Sequence, residues 1–101
     1  MRDFNENTAT DGVLKSFQTI KDQRLKELMN SIVSHLHMVV KETEPTFDEW
    51  LKAIEFLTKT GQKCDDRRQE FILLSDVLGV SMLIDTINNR KNNNETESTV
   101  L

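Results

Sequence analysis

The run Arg67-Arg68-Gln69-Glu70-Phe71-Ile72-Leu73-Leu74-Ser75-Asp76-Val77-Leu78-Gly79-Val80-Ser81-Met82-Leu83 restricts the possible folds more than any other stretch. A charged opening turn leads into four consecutive apolar residues, Phe71 to Leu74. A helix cannot hide four neighbours on one face, so the pattern predicts a segment enclosed from several sides. Asp76 falls inside the apolar run, where a carboxylate is costly unless something pairs with it. Gly79 suits a helix stop, and Ser81 the cap of a short helix after it. The expectation is a buried helix carrying one acid at the centre of a small domain.

A chain of 101 residues is enough for one domain with one core. Charged residues make up 30% and apolar ones 37%, as in an ordinary soluble helical protein. A formal net charge of −4 argues against general attraction to nucleic acid. No apolar run is long enough to span a bilayer, and the N-terminus lacks the core of a signal peptide. The single Cys64 has no internal disulfide partner, which points to a reducing cytoplasm. One Pro, three Gly and no Tyr suit a mostly helical chain with few tight turns.

Residues 1–10 are polar and expected to be disordered. Val13, Leu14 and Phe17 suggest a short helix from Asp11 to about Gln18. Leu25, Leu28, Met29, Ile32, Leu36, Val39 and Val40 then follow the spacing of one helical face, with Val33 widening it. Asp22 is the natural cap of that helix, and Pro45 ends the pattern. At about twenty residues it is roughly 30 Å long, more than a domain of this size needs for its own core. A second chain or domain alongside it would account for the excess.

Thr46 and Glu49 have capping-box spacing, and Phe47, Trp50, Leu51, Ile54 and Leu57 form the buried stripe of a third helix. Gly61 sits where that helix would close. Cys64-Asp65-Asp66 is a connector, with Asp66 the expected cap of the central helix and Arg67 paired with Glu70. Val80, Leu83, Ile84 and Ile87 give a short last helix. Asn88 to Glu95 reads as a polar, Asn-rich linker, and Thr96 to Leu101 as the β-prone start of something further. The helical domain is therefore placed at residues 11–89, and the linker and the start of a further domain at 90–101.

Four of these pieces closely resemble one family. They are Arg24-Leu25-Lys26-Glu27-Leu28 with Ser34-His35-Leu36-His37; Glu49-Trp50 with Ala53-Ile54-Glu55-Phe56-Leu57-Thr58-Lys59-Thr60-Gly61-Gln62; the run from Arg68 to Leu83; and Thr96-Glu97-Ser98-Thr99-Val100-Leu101. In this order they resemble the N-terminal helical domain of the intradiol ring-cleavage dioxygenases. The hydroxyquinol 1,2-dioxygenase branch of the catechol 1,2-dioxygenase group is the nearest match. The resemblance runs from about Thr10 to the last residue. It implies that the chain is the front piece of a larger protein whose catalytic β-sandwich follows.

The family holds ferric iron with two tyrosines and two histidines, all from the sandwich. This chain has no tyrosine, and its two histidines are His35 and His37. On a strand such a pair could meet one metal; on a helix the two rings point about 200° apart. The chain is therefore expected to bind no iron and to be inactive alone, with ferric iron the cofactor of the full-length enzyme.

Asp76 has two readings. The pattern alone favours a partnered core acid, capping a neighbouring helix or pairing with Arg67 or Arg68. The resemblance implies instead that Asp76, with Leu73 one turn before it, lines the substrate pocket over the iron, Val77 lying beside them. Val100 resembles the start of the family's pocket wall, though an ordinary first strand residue fits it equally well. Leu101 stands where relatives commonly have Phe. Cys64, followed by two acids, is not expected to be a reactive thiolate.

In the family the long helices of two subunits pack as a dimer around a hydrophobic tunnel that can hold a phospholipid. By that resemblance Met29, Val33, Met38 and Val40 belong to the interface; contact with the sandwich would also account for Met38 and Val40. The fold is expected to be all-α, about five helices in a small bundle followed by an extended tail. The function expected is that of the linker and dimerisation part of a hydroxyquinol or catechol 1,2-dioxygenase. The alternative is a free-standing helical dimerisation or lipid-binding module without enzymatic activity.

Overall fold

The computed structural model describes residues 4–100, with side chains described as far as residue 93. Five helices follow one another: α1 (Ala9–Ser16), α2 (Gln23–Thr43), α3 (Phe47–Gln62), α4 (Glu70–Val77) and α5 (Val80–Val100). There is no strand among the described residues. The chain divides into two compact units, Met1–Phe47 and Asp48–Leu101.

In the first unit, α1 lies on α2. Residues 1–10 were expected to lack structure, but the part that is described, from Phe4, contains an ordered turn. The Asn5 side-chain oxygen accepts from the Asn7 and Thr8 amides at 2.8 and 3.1 Å. An asparagine that folds back on the following backbone favours a turn of this kind, and α1 starts two residues earlier than its apolar positions suggest. Asp22 caps α2 as expected, accepting from the Leu25 amide at 3.1 Å. At the other end Glu44 adopts a left-handed conformation (φ 48°) and its amide bonds the Val40 carbonyl at 2.9 Å. Pro45 follows, and its ring disfavours right-handed helix in the residue before it.

In the second unit, α4 packs on α5. Asp65, not Asp66, organises the connector: its carboxylate accepts from the Arg67 and Arg68 amides, both at 2.8 Å. Gly79 breaks the helix at φ 78°, a conformation that costs glycine little. Ser81 does not cap α5, which begins at Val80; its hydroxyl instead meets that of Ser75 on α4 at 2.7 Å. The segment from Asn88 onward, expected as linker and extended tail, has helical backbone to Val100. No Gly or Pro follows Gly79 to stop a helix, and the Asn88 side chain donates to the Ile84 carbonyl at 2.8 Å, one turn back.

The largest departure is in burial. Thr60 is the one buried residue among those described, its hydroxyl donating to the Phe56 carbonyl at 2.8 Å. α4, expected to be enclosed, leaves Leu73 52% and Val77 76% exposed. It is apolar nearly all round, so whichever faces α3 and α5 do not meet stay open. Asp76 is exposed as well, not set in a core.

Candidate functional site

α3 and α4 flank a groove of about 360 Å³ in the second unit. Phe56, Lys59, Thr60 and Lys63 come from α3 and its end, and Glu70, Leu73, Leu74 and Val77 from α4. Both sets recur at three- and four-residue intervals, so each is one face of its helix. At the end of α3 the Phe71 ring lies near Gly61: a Cβ there would stand 3.7 Å from it, in ordinary van der Waals contact.

Two of the residues singled out from the sequence, Leu73 and Val77, line this groove. Asp76 does not, although it shares a side of α4 with Leu73; at 100° per residue it lies about 60° round from Leu73 and away from Glu70. The side chain of Val100 falls outside the described residues. The α3 wall, Phe56, Lys59, Thr60 and Lys63, was not picked out beforehand; its i, i+3, i+4, i+7 spacing is the signal that could have found it.

The carboxylate of the groove is Glu70, whose side chain is 13% exposed and pairs with the Arg68 guanidinium rather than with Arg67. Lys59 and Lys63 stand one turn apart at the rim, both exposed, with apolar stems that can lie along the walls. The groove therefore offers an apolar floor, one shielded acid and two exposed cations. The Cys64 thiol is free and donates to the Thr60 carbonyl at 3.5 Å.

On α2 the four residues assigned to a partner interface separate. Met29 and Val33 are half-buried and flank the stripe that carries His37, whereas Met38 and Val40 are 58% and 56% exposed. The fully open stripe is a different set: Leu25, Leu28, Ile32, Leu36 and Val39, all between 44% and 59% exposed. It lies on the side of α2 opposite His37.

The histidines do not make a metal site. His35 bonds the Ser31 carbonyl on its own helix at 2.7 Å, and His37 meets the Thr10 hydroxyl on α1 at 2.9 Å. The rings are committed to different partners on different sides of α2. Among the described residues no group of three His, Cys, Asp or Glu is arranged as a metal site.

The family model described as "Catechol dioxygenase N terminus" matches residues 22–96. The chain belongs to that family. The catechol dioxygenase N-terminal domain found here is 52% identical to hydroxyquinol 1,2-dioxygenase of Rhizobium sp. (strain MTP-10005), over 97% of this chain and 33% of that protein. It is 34% identical to catechol 1,2-dioxygenase of Candida albicans, over 91% of this chain and 31% of the relative. The structure of hydroxyquinol 1,2-dioxygenase from Pseudomonas putida DLL-E4 superposes with a TM-score of 0.81 at 56% identity, covering 84% of this chain and 30% of that one. The domain thus spans about a third of the length of the relatives it matches. Among the described residues no helix is long and apolar enough to cross a membrane.

Proposed function

We propose that this domain serves an enzyme that opens hydroxyquinol between adjacent hydroxyl-bearing carbons, both atoms of dioxygen entering the product. What carries the reading is the identity gradient: relatives named for hydroxyquinol stand between 45% and 56%, a relative named for catechol at 34%. The ferric iron of such an enzyme is assigned in this reading to the catalytic β-sandwich; the engagement of His35 and His37 with other partners supports the assignment.

Within such an enzyme the domain supplies surface. Leu73 and Val77 present apolar contact to the flat face of an aromatic ring. Asp76, exposed and one turn from Leu73, is the proposed acceptor of a hydrogen bond from a ring hydroxyl. A third hydroxyl gives hydroxyquinol a donor that catechol lacks, and a buried polar partner left unmatched costs about 1–3 kcal/mol. That is the basis of discrimination assigned to Asp76.

The open stripe of α2, continued by Met38 and Val40, is the proposed homodimer surface, and a phospholipid chain is its proposed lining. Burying the exposed halves of Leu25, Leu28, Ile32, Leu36 and Val39 on two protomers contributes about 8–15 kcal/mol. Association costs about 4–15 kcal/mol, so pairing through α2 is feasible but not tight without further contacts. A cytoplasmic setting accords with the free thiol of Cys64. Oxygen uptake by the intact protein tests the substrate: faster turnover of hydroxyquinol than of catechol is expected, and equal or reversed preference would refute the assignment.

A further inference from the structure

α1 has eight residues with Gly12 in its middle, too short and too poor in helix formers to persist in water alone. Its stability must come from α2. Val13, Leu14 and Phe17 are only half-buried, so apolar contact supplies part of what is needed. The rest of the seam is polar: Lys26, Asn30, Ser34 and His37 recur along one stripe of α2, all half-buried. The Asn30 side-chain oxygen is buried there without a hydrogen-bond partner, which weakens the stripe further.

One hydroxyl ties the two helices. Thr10 Oγ1 lies 2.9 Å from His37 Nδ1 and 3.4 Å from Lys41 Nζ, which donates to it. With a lone pair taken by Lys41, the hydroxyl hydrogen is free to point at His37, and Nδ1 accepts it only when the imidazole is neutral. Protonation puts a hydrogen on Nδ1. The hydroxyl must then turn and receive two donors, both cationic and one helical turn apart on α2.

We infer that Thr10, His37 and Lys41 form a proton-sensitive latch that holds α1 on α2 when His37 is neutral and releases it when His37 is charged. The other charged groups near the seam are few. Glu6 precedes α1, Asp11 and Lys15 lie on it, and all three are exposed; on α2 Lys26 reaches the Gln18 carbonyl at the far end, at 3.5 Å. Among the described residues, Asp11, next to Thr10, is the anion best placed in sequence to offset the new charge. It is solvated, where such attraction is weak, and Lys41 opposes it.

Release exposes Asn30, Ser34 and the α1-facing side of α2 without disturbing the opposite stripe. The latch thus acts independently of the proposed dimer surface. Exchange is therefore followed between about pH 5 and 8, the window in which imidazoles as a class change charge.

Hydrogen–deuterium exchange across that window tests the latch, with rates corrected for intrinsic pH dependence and α3 amides as internal control. Protection of the amides from Val13 to Phe17 should fall about twofold as His37 becomes charged, the scale of a repulsion between two partly solvated cations brought onto one hydroxyl, while α3 stays constant. In His37→Gln the pH dependence should vanish, and in Thr10→Val protection should be low throughout. Lys41→Met, which removes the second cation, should shrink the fall. Wild-type protection that does not change with pH, or an undiminished fall in His37→Gln with α3 intact, would overturn the inference. Should His37→Gln unfold, the imidazole 15N shifts of the wild type decide: Nδ1 as acceptor at high pH is expected, and a hydrogen on Nδ1 there would refute the latch.

Discussion

The ring of Phe71 lies against Gly61, with two of its carbons 3.7 and 3.8 Å from where a Cβ on residue 61 would stand. That spacing is ordinary van der Waals contact, and residue 61 lies inside α3 rather than beyond its end. Gly61→Ala should therefore stabilise the protein by about 0.4–1 kcal/mol, because alanine loses less entropy on entering a helix. Gly79→Ala has equal room, with nothing within 4 Å, yet its φ of 78° is unfavourable for any residue with a Cβ. It should destabilise by about 1 kcal/mol. Urea unfolding of the two variants should give opposite signs.

Asp22 holds the start of α2 through the Leu25 amide. Asp22→Ala should cost about 1 kcal/mol, whereas Asp22→Asn, which keeps an acceptor oxygen, should be close to neutral. Equal losses in the two would mean that charge at the helix start matters more than the hydrogen bond.

The elements that could be read from the amino acids are those with a local signal. α2 carries its cap at Asp22, an unbroken apolar stripe and Pro45 after its end, and its limits are close to those expected. Gly79 could be read as a stop because a left-handed residue is what ends a helix there. α5 was harder, since Asn-rich composition suggests a loop, while helix continuation depends on the absence of a breaker. The exposure of α4 could not be read at all. Apolar residues on every side report that a helix can be covered, not which polypeptide covers it. Leu73 and Val77 were placed by resemblance and do share a groove, but the α3 residues opposite needed three dimensions to find.

The open stripe on α2 gives a third test. Ile32 is 51% exposed at its centre, so Ile32→Glu should leave the helix intact and weaken self-association of the full-length protein at least tenfold. Sedimentation velocity against concentration reads this directly. Ser34→Glu, on the side facing away from the stripe, should leave association unchanged.

The account rests most heavily on Leu73 and Asp76, one turn apart on α4 and exposed in this chain, as surface lent to an aromatic diol. Asp76→Asn in the full-length enzyme tests it, with kcat/KM for hydroxyquinol and for catechol measured alongside thermal unfolding. The expected result is a preference shifted about tenfold against hydroxyquinol, the equivalent of roughly 1.4 kcal/mol, with stability unchanged. An unaltered ratio of the two rates, or loss of folding in place of loss of discrimination, would contradict it.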